Sequence, residues 1–121
     1  RVYAARDELS WLLWKLKKEG NRIVAIGAPT KGNTLLNFCR IGSNLVECAS
    51  DIIQQKIGRY TPGTHIPIVD DATICQLNPQ YGLLLSWNLA DEIIHKFFDN
   101  LKFNGQFIVA IPEPRIIARK K

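Results

Sequence analysis

The stretch of sequence that decides the fold runs from Arg22 to Phe38 and reads RIVAIGAPTKGNTLLNF. Residues 22–27 are short and apolar on both faces, which is typical of a buried parallel strand. The glycines and proline that follow indicate a turn, and a helix is expected from about Lys31 to Cys39 or Arg40. A glycine-rich turn between a strand and a helix is a common place for nucleotide phosphates to bind.

Strands and helices alternate along the rest of the chain. Leucines at helical spacing predict a first helix that ends at Gly20-Asn21, and a longer helix is predicted over residues 89–101. Asp70 or Asp71 can cap a short helix through Leu77. Further strands are predicted at 45–49, 66–69, 81–86 and 106–111. This alternation predicts an α/β domain, a small Rossmann-like doubly wound and mainly parallel sheet with helices on both faces.

Length and composition favour one ordinary domain. The 121 residues are 46% apolar and 22% charged, and no apolar run is long enough to span a membrane. We divide the chain into a leading helix (1–20), a Rossmann-like core (21–115) and a basic tail (116–121). Since it lacks Met and begins at Arg1, we expect it to be a fragment of a larger protein.

Charge and cysteine usage narrow the possible partners. The net charge is +5, but no stretch combines dense basic residues with interleaved aromatics, so nucleic acid is not an expected partner. Cys39, Cys48 and Cys75 show no CxxC spacing, so we expect buried thiols and no metal site in this chain. Three thiols without a disulfide framework indicate a cytoplasmic setting.

The glycine turn departs from both common nucleotide loops. Pro29 stands where the dinucleotide loop GxGxxG needs its central glycine, and Asn33 stands where the P-loop has its lysine. The N–H groups of Gly32, Asn33 and Thr34 can still bind an anion beside Lys31 at the start of the helix. Alternatively, Pro29 and Gly32 only shape the turn while Asn33 or Thr34 caps the helix.

Ligands of doubly wound folds bind beyond the carboxyl ends of the strands. The segments expected there are Gly27–Asn33, Asp51–His65, Ser86–Asn88 and Pro112–Pro114. Asp51 lies about twenty residues past the glycines, where dinucleotide folds have a ribose-binding acid. It can equally cap or bracket the next turn.

The segment that follows Asp51 has two interpretations. Arg59 can offer its guanidinium to a phosphate and Tyr60 its ring to a base. Equally, Pro62-Gly63 is a good type II turn that needs no ligand. His65 has no evident acid or nucleophile partner in sequence, so it indicates general-base chemistry only weakly.

Four blocks of sequence together resemble the C-terminal domain of the sugar C-methyltransferase family: GAPTKGNTLLNF, GRYTPGTHIPI, LLLSWNLADEII and FIVAIPEP. The resemblance runs from about Arg22 to Arg115 with the blocks in the same order and spacing. It implies an S-adenosylmethionine-dependent enzyme with a zinc-binding segment, a methyl-donor domain and this Rossmann-like domain. S-adenosylmethionine, zinc and the catalytic groups are therefore expected in the preceding domains and not in this chain.

The resemblance also implies a role in binding a nucleotide-linked deoxysugar, with the preceding methyl-donor domain as a partner. Carried over by motif, the candidate residues are Gly27, Ala28, Lys31, Gly32, Asn33, Thr34, Arg59, Tyr60, Pro62, Gly63, Thr64, His65, Trp87, Asn88, Pro112, Glu113 and Pro114. The alternative is a non-catalytic interdomain or oligomerisation module. Pro29 disfavours a third possibility, an NAD-type oxidoreductase.

Two departures from the family pattern lie on the expected ligand side. After Asp51 such domains are close to Arg-Asn-Pro-x-Lys-Gln-Gly, whereas here residues 52–58 are IIQQKIG. Lys56 and Gly58 keep their places, but the Asn-Pro turn is lost. Ser86 also replaces the usual proline. Both departures therefore bear on which sugar the domain binds.

Overall fold

The computed structural model describes residues 2–27, 41–51, 54–85, 90–110 and 114–118. Their strands are β1 (Ile23–Ile26), β2 (Ala49–Ser50), β3 (Ile68–Val69), β4 (Tyr81–Leu84), β5 (Gln106–Val109) and β6 (Arg115–Ile117). Their helices are α1 (Val2–Lys18), α2 (Asp71–Gln76) and α3 (Ala90–His95), which a π-helical turn continues over Lys96–Asn100. A 3₁₀ turn covers Gln54–Lys56.

The described strands form a six-stranded sheet in the order β3-β2-β1-β4-β5-β6. Strands β1 to β5 are parallel to one another, and β6 pairs antiparallel with β5. This confirms the predicted α/β domain with a mainly parallel sheet. The strand order is that of the classic dinucleotide fold. Residues 28–40, which connect β1 to β2, lie outside the described residues, so the doubly wound connection stays a prediction.

Successive residues of a strand point to opposite faces of the sheet, and each face of this one has its own core. On one face, Ile23 and Ala25 of β1 belong to a buried cluster with Leu13 of α1. On the other, Val24 and Ile26 belong to a cluster that includes α2 and the π-helical turn. All four residues of β1 are buried, which is why the sequence there is apolar throughout.

The first helix ends as the sequence predicts. Gly20 has φ +95°, a conformation that favours glycine, and the Asn21 side chain donates to the carbonyl of Leu16 at 3.0 Å. The chain then turns back into β1. Because α1 ends where β1 begins, α1 starts at the opposite end of the sheet, beyond the carboxyl ends of the parallel strands. We call that side the carboxyl end of the sheet and the other side the amino end.

The predicted cap of the short helix is confirmed. Asp70 precedes α2, and its Oδ1 accepts hydrogen bonds from the Thr73 backbone N–H at 2.8 Å and the Thr73 hydroxyl at 2.6 Å. Both bonds favour the ionised carboxyl and lower the pKa of Asp70 below its usual value of 3.8.

At the amino end of the sheet, Arg22 joins three segments of the chain. Its Nε and Nη2 donate to the two carboxylate oxygens of Glu47 at 3.1 and 2.6 Å, and Nη1 donates to the carbonyl of Leu77 at 2.9 Å. The hydrogen bond to this guanidinium lowers the pKa of Glu47. The basic side chain closest to the start of β1 therefore has a structural role.

Two elements differ from the sequence-based prediction. β2 is Ala49–Ser50 rather than 45–49, because the N–H groups of Leu45 and Val46 bond to Gly42 in a turn. Arg115–Ile117 forms β6, although the tail was expected to begin at residue 116. Ile117 packs against the second core cluster, and this apolar contact holds the strand in place.

Candidate functional site

The carboxyl end of the sheet brings together two of the sequence-predicted residues, Gly27 and Asp51. Gly27 follows β1 with φ +73°, which a side chain would strain. Its N–H donates to the Ser50 hydroxyl at 3.2 Å, across the gap between β1 and β2. Ser50 is buried and directly precedes Asp51. The turn after β1 is thus tied to the residue next to the candidate ribose-binding acid.

Asp51 has an internal cation beside it. Its carboxylate is only 6% exposed, and its Oδ2 lies 3.6 Å from Nζ of Lys56. Lys56 ends the 3₁₀ turn that follows Asp51, so four residues lie between the two charged residues in sequence. Lys56 and Ser50 are not among the sequence-predicted site residues. Lys56 keeps its place in the family pattern, and that was the signal that could have identified it.

The segment after Lys56 leads away from this site. Residues 58–68 form a hairpin, which we call the 58–68 hairpin. The Gly58 N–H donates to the carbonyl of Ile68 at 2.9 Å, and the Ile68 N–H donates to the carbonyl of Arg59 at 2.8 Å. This pairing runs antiparallel to β3, and the bridge between Tyr60 and Pro67 is also antiparallel.

Because β3 is parallel to β2, the tip of the 58–68 hairpin lies at the amino end of the sheet. The expectation that Asp51–His65 lies entirely at the carboxyl ends is therefore wrong for residues 61–65. A Cβ added at Gly42, which precedes β2, would lie 3.4 Å from the carbonyl oxygen of Thr64. The tip thus packs beside the chain that enters β2, away from Gly27 and Asp51.

Internal hydrogen bonds satisfy the tip of this hairpin. Thr61 is 2% exposed, and its hydroxyl accepts from the Ile66 N–H at 2.9 Å and bonds to the Thr64 hydroxyl. Gly63 has φ +80°, the value expected for the third residue of a type II turn. These contacts agree with the interpretation of Pro62-Gly63 as a turn that needs no ligand.

Tyr60 and His65 form a stacked pair on the hairpin. Their ring centroids are 5.1 Å apart with an interplanar angle of 21°, and Tyr60 is 55% exposed. His65 has φ +58°, in the left-handed region. The stacking partner of Tyr60 is thus a side chain of the same hairpin, outside the site around Asp51.

Pro114 lies at the carboxyl end of the sheet, since it precedes Arg115, which pairs with the last residue of β5. It lines a shallow cleft of about 560 Å³ together with Asp7, Glu8, Trp11 and Leu12 of α1. We call this the α1 cleft. It borders the exposed side of the helix, where Trp11 and Trp14 are 63% and 54% exposed.

The remaining predicted site residues lie outside the described part of the chain: Ala28, Lys31, Gly32, Asn33, Thr34, Trp87, Asn88, Pro112 and Glu113. Within the described residues, no group of three His, Cys, Asp or Glu side chains could hold a metal ion. Cys48 is buried, and burial raises the pKa of its thiol to about 11. No helix in the described ranges is long and apolar enough to cross a membrane.

Comparison with known proteins decides the family. The family model described as the C-methyltransferase C-terminal domain matches residues 1–112. The chain belongs to the C-methyltransferase C-terminal domain family. It is also 39% identical over 113 residues to C-methyltransferase NovU of Streptomyces niveus. This alignment covers 93% of the chain but 27% of NovU, so the chain spans about a quarter of that relative.

Membership of the C-methyltransferase C-terminal domain family confirms the resemblance that the four sequence blocks indicated. The match covers residues 1–112, so it includes α1 as well as strands β1 to β5. The helix that carries Trp11 and Trp14 is therefore part of the family's domain.

Proposed function

We propose that this chain is the substrate-binding domain of a longer S-adenosylmethionine-dependent C-methyltransferase, and that the carboxyl end of its sheet binds a nucleotide-linked deoxysugar. The observation that carries this proposal is the meeting of Gly27 and Asp51 through Ser50, where a sheet with this strand order binds its ligands. Membership of the family supports the methyltransferase part.

In this proposal the chain binds and orients, and it supplies no catalytic group. The diphosphate lies at the turn after β1, against the N–H groups of Gly32, Asn33 and Thr34 and the charge of Lys31. We assign contact with the base or the sugar to Trp87 and Asn88, which follow β4 in sequence, and to residues 112–114, which follow β5. S-adenosylmethionine supplies the methyl group when it is bound by the preceding domain, to which we also assign zinc.

The direction of α1 supports a place for that preceding domain. In a longer protein, chain that enters α1 arrives at the carboxyl end of the sheet, on the same side as the nucleotide site. The α1 cleft and Trp11 lie along this path. A domain seated there can reach a sugar held beyond β1 and β2.

One observation favours a second candidate function, an interdomain or oligomerisation module without a ligand of its own. Trp11 and Trp14 are both more than half exposed on one helix, and large exposed apolar groups often mark protein contacts. Lys15 and Lys18 lie over these rings at 5.7 and 4.8 Å from the ring centroids. If this is the chain's only function, charged substitutions at both tryptophans should abolish assembly. The wild-type chain should then bind no nucleotide.

Titration of the 121-residue chain with a nucleotide sugar tests the proposal, by calorimetry and by amide NMR shifts. We expect shifts at Gly27, Ser50 and Asp51 but not at the hairpin tip, and weaker binding for Lys31→Ala. Lys17→Ala, which removes the same charge from the far end of α1, is the matched control and should bind normally. A folded chain that shows no binding at millimolar ligand would contradict the proposal.

A further inference from the structure

We propose that Lys56, oriented by Asp51, is a diphosphate-binding cation at the carboxyl end of the sheet. This inference rests on the proposed function and names a further residue of the same site. Neither the P-loop lysine position nor the dinucleotide glycines predict it, because Lys56 follows β2 rather than β1. The choice of Lys56 rests on its ion pair with Asp51.

Burial of Asp51 gives its carboxylate a strong orienting effect on Lys56. A carboxylate that is 6% exposed is costly unless a cation or hydrogen bonds compensate for its charge. Lys56 lies close enough to compensate, while its own side chain stays 41% exposed. An ammonium has three donors, so contact with one carboxylate leaves others available to an anion.

The backbone around Lys56 is fixed on both sides. It ends the 3₁₀ turn, and its carbonyl accepts from the Arg59 N–H at 3.1 Å. Gly58 follows with φ +91°, and its N–H is tied to the carbonyl of Ile68 in β3. A lysine held in this way loses less conformational freedom when it binds a ligand than a lysine on a free loop.

The other lysine ion pairs in the described part of the chain lie elsewhere. Lys96 bonds to Asp71 at 2.7 Å, where the π-helical turn meets α2, and Lys15 lies 3.9 Å from Glu19 on α1. These pairs join helices or stabilise one. The Lys56–Asp51 pair instead borders Ser50, which binds the Gly27 N–H. Its acid is therefore next in sequence to the residue that binds Gly27 at the end of β1.

This pairing also bears on the class of ligand. In dinucleotide folds the acid at the end of the second strand accepts hydrogen bonds from the ribose diol. Here an ammonium lies 3.6 Å from the same carboxylate, so the site has a cationic donor beside the acceptor that a dinucleotide needs. The arrangement favours the diphosphate of a nucleotide sugar over the adenosine ribose of a dinucleotide.

Calorimetric titration of the 121-residue chain with uridine diphosphate tests this assignment, with inorganic pyrophosphate as a second probe. Loss of a charge-assisted hydrogen bond should raise Kd at least about tenfold for Lys56→Ala. Lys56→Arg keeps the charge and should restore most of the affinity. Lys17→Ala again serves as the charge-matched control and should leave Kd unchanged.

Removal of Lys56 alone leaves a buried carboxylate without its cation and can unfold the chain. The double variant Asp51→Asn/Lys56→Ala removes both charges, so it should fold and still bind weakly. Asp51→Asn alone removes the charge that orients the lysine and also a charge that repels the diphosphate, so its Kd should change less than that of Lys56→Ala.

The two possible failures are distinguishable. If the wild-type chain binds uridine diphosphate and the folded double variant binds it equally well, the role of Lys56 is overturned while the proposed function stands. If the folded wild-type chain binds neither uridine diphosphate nor pyrophosphate at millimolar concentration, both proposals fail.

Discussion

Replacement of Gly105 by alanine should destabilise the fold because the new methyl group has no space. Gly105 directly precedes β5. An added Cβ would lie 2.6 Å from the carbonyl oxygen of Pro79, 2.9 Å from that of Gln80 and 2.8 Å from Cζ of Phe103. The Gln80 oxygen cannot move freely, since it accepts the Gln106 N–H at 2.9 Å next to the β4–β5 ladder.

The size of the effect follows from two opposing terms. Glycine to alanine stabilises by about 0.4–1 kcal/mol when no strain results, because the unfolded chain loses freedom. Overpacking costs about 1–3 kcal/mol. Because the added methyl group at Gly105 would meet backbone oxygens, its cost should lie near the upper end of that range. We expect a net loss of about 2 kcal/mol in the free energy of unfolding. For a domain of this size that lowers Tm by about 8 °C.

Gly82 in β4 is the matched control. The closest atom to its added Cβ is Cδ1 of Ile26 at 2.6 Å, the flexible end of a side chain. Gly82→Ala should therefore change the free energy of unfolding by less than about 1 kcal/mol. Ile26→Val removes that Cδ1 atom, so Gly82→Ala should cost less in the Ile26→Val background than in the wild type.

Urea titrations followed by circular dichroism measure these differences. A Gly105→Ala variant as stable as the wild type would refute the reasoning, because it would show that the Pro79 and Gln80 carbonyls yield without cost. Equal costs of Gly82→Ala with and without Ile26→Val would refute the explanation of the control.

Three further predictions concern the hairpin, the helix cap and a buried thiol. Thr61→Val should lower the free energy of unfolding by about 1–3 kcal/mol in urea titrations, since it leaves the buried Ile66 N–H without an acceptor. Asp70→Ala should lower Tm at neutral pH. Because folding lowers the pKa of Asp70, the stability from its bonds to Thr73 is present above pH 3.8 and is lost as the pH falls below that value. The melting curves of the variant and the wild type should therefore converge in acid. Cys48 has a pKa of about 11, so at pH 8 its thiolate fraction should be about a hundredfold smaller than that of a thiol with pKa 9.0. Mass spectrometry should therefore show that Cys48 is alkylated far more slowly in the native protein than in denaturant.

The sequence predicted most of the parallel sheet because its strands are strongly apolar. β1, β4 and β5 lie within their predicted segments, and the Asp70 cap has a clear local signature. β2 lies later in the chain than predicted and β6 was not predicted, whereas β3, which is as short as β2, lies within its predicted segment. The extents of β2 and β6 depend on pairing with neighbours that are distant in sequence, such as Ala25 with Ala49.

The candidate site was partly predictable for the same reason. Gly27 and Asp51 follow apolar strands, and both lie at the carboxyl end of the sheet as expected. The tip of the 58–68 hairpin does not, because its place depends on antiparallel pairing of Arg59 and Thr61 with the chain around β3. The position of these residues after β2 in sequence could not show that residues 58–60 run antiparallel to β3 and carry the tip to the amino end of the sheet.

The sequence by itself thus determined the fold class and the family, since apolar periodicity and four blocks of motif are local properties of the chain. Only the tertiary structure decided which candidates lie together. The Gly27 contact with Ser50 and the Asp51 contact with Lys56 need the β1–β2 pairing and the 3₁₀ turn. Such contacts depend on burial and on the register of strand pairing, which the folded sheet establishes as a whole.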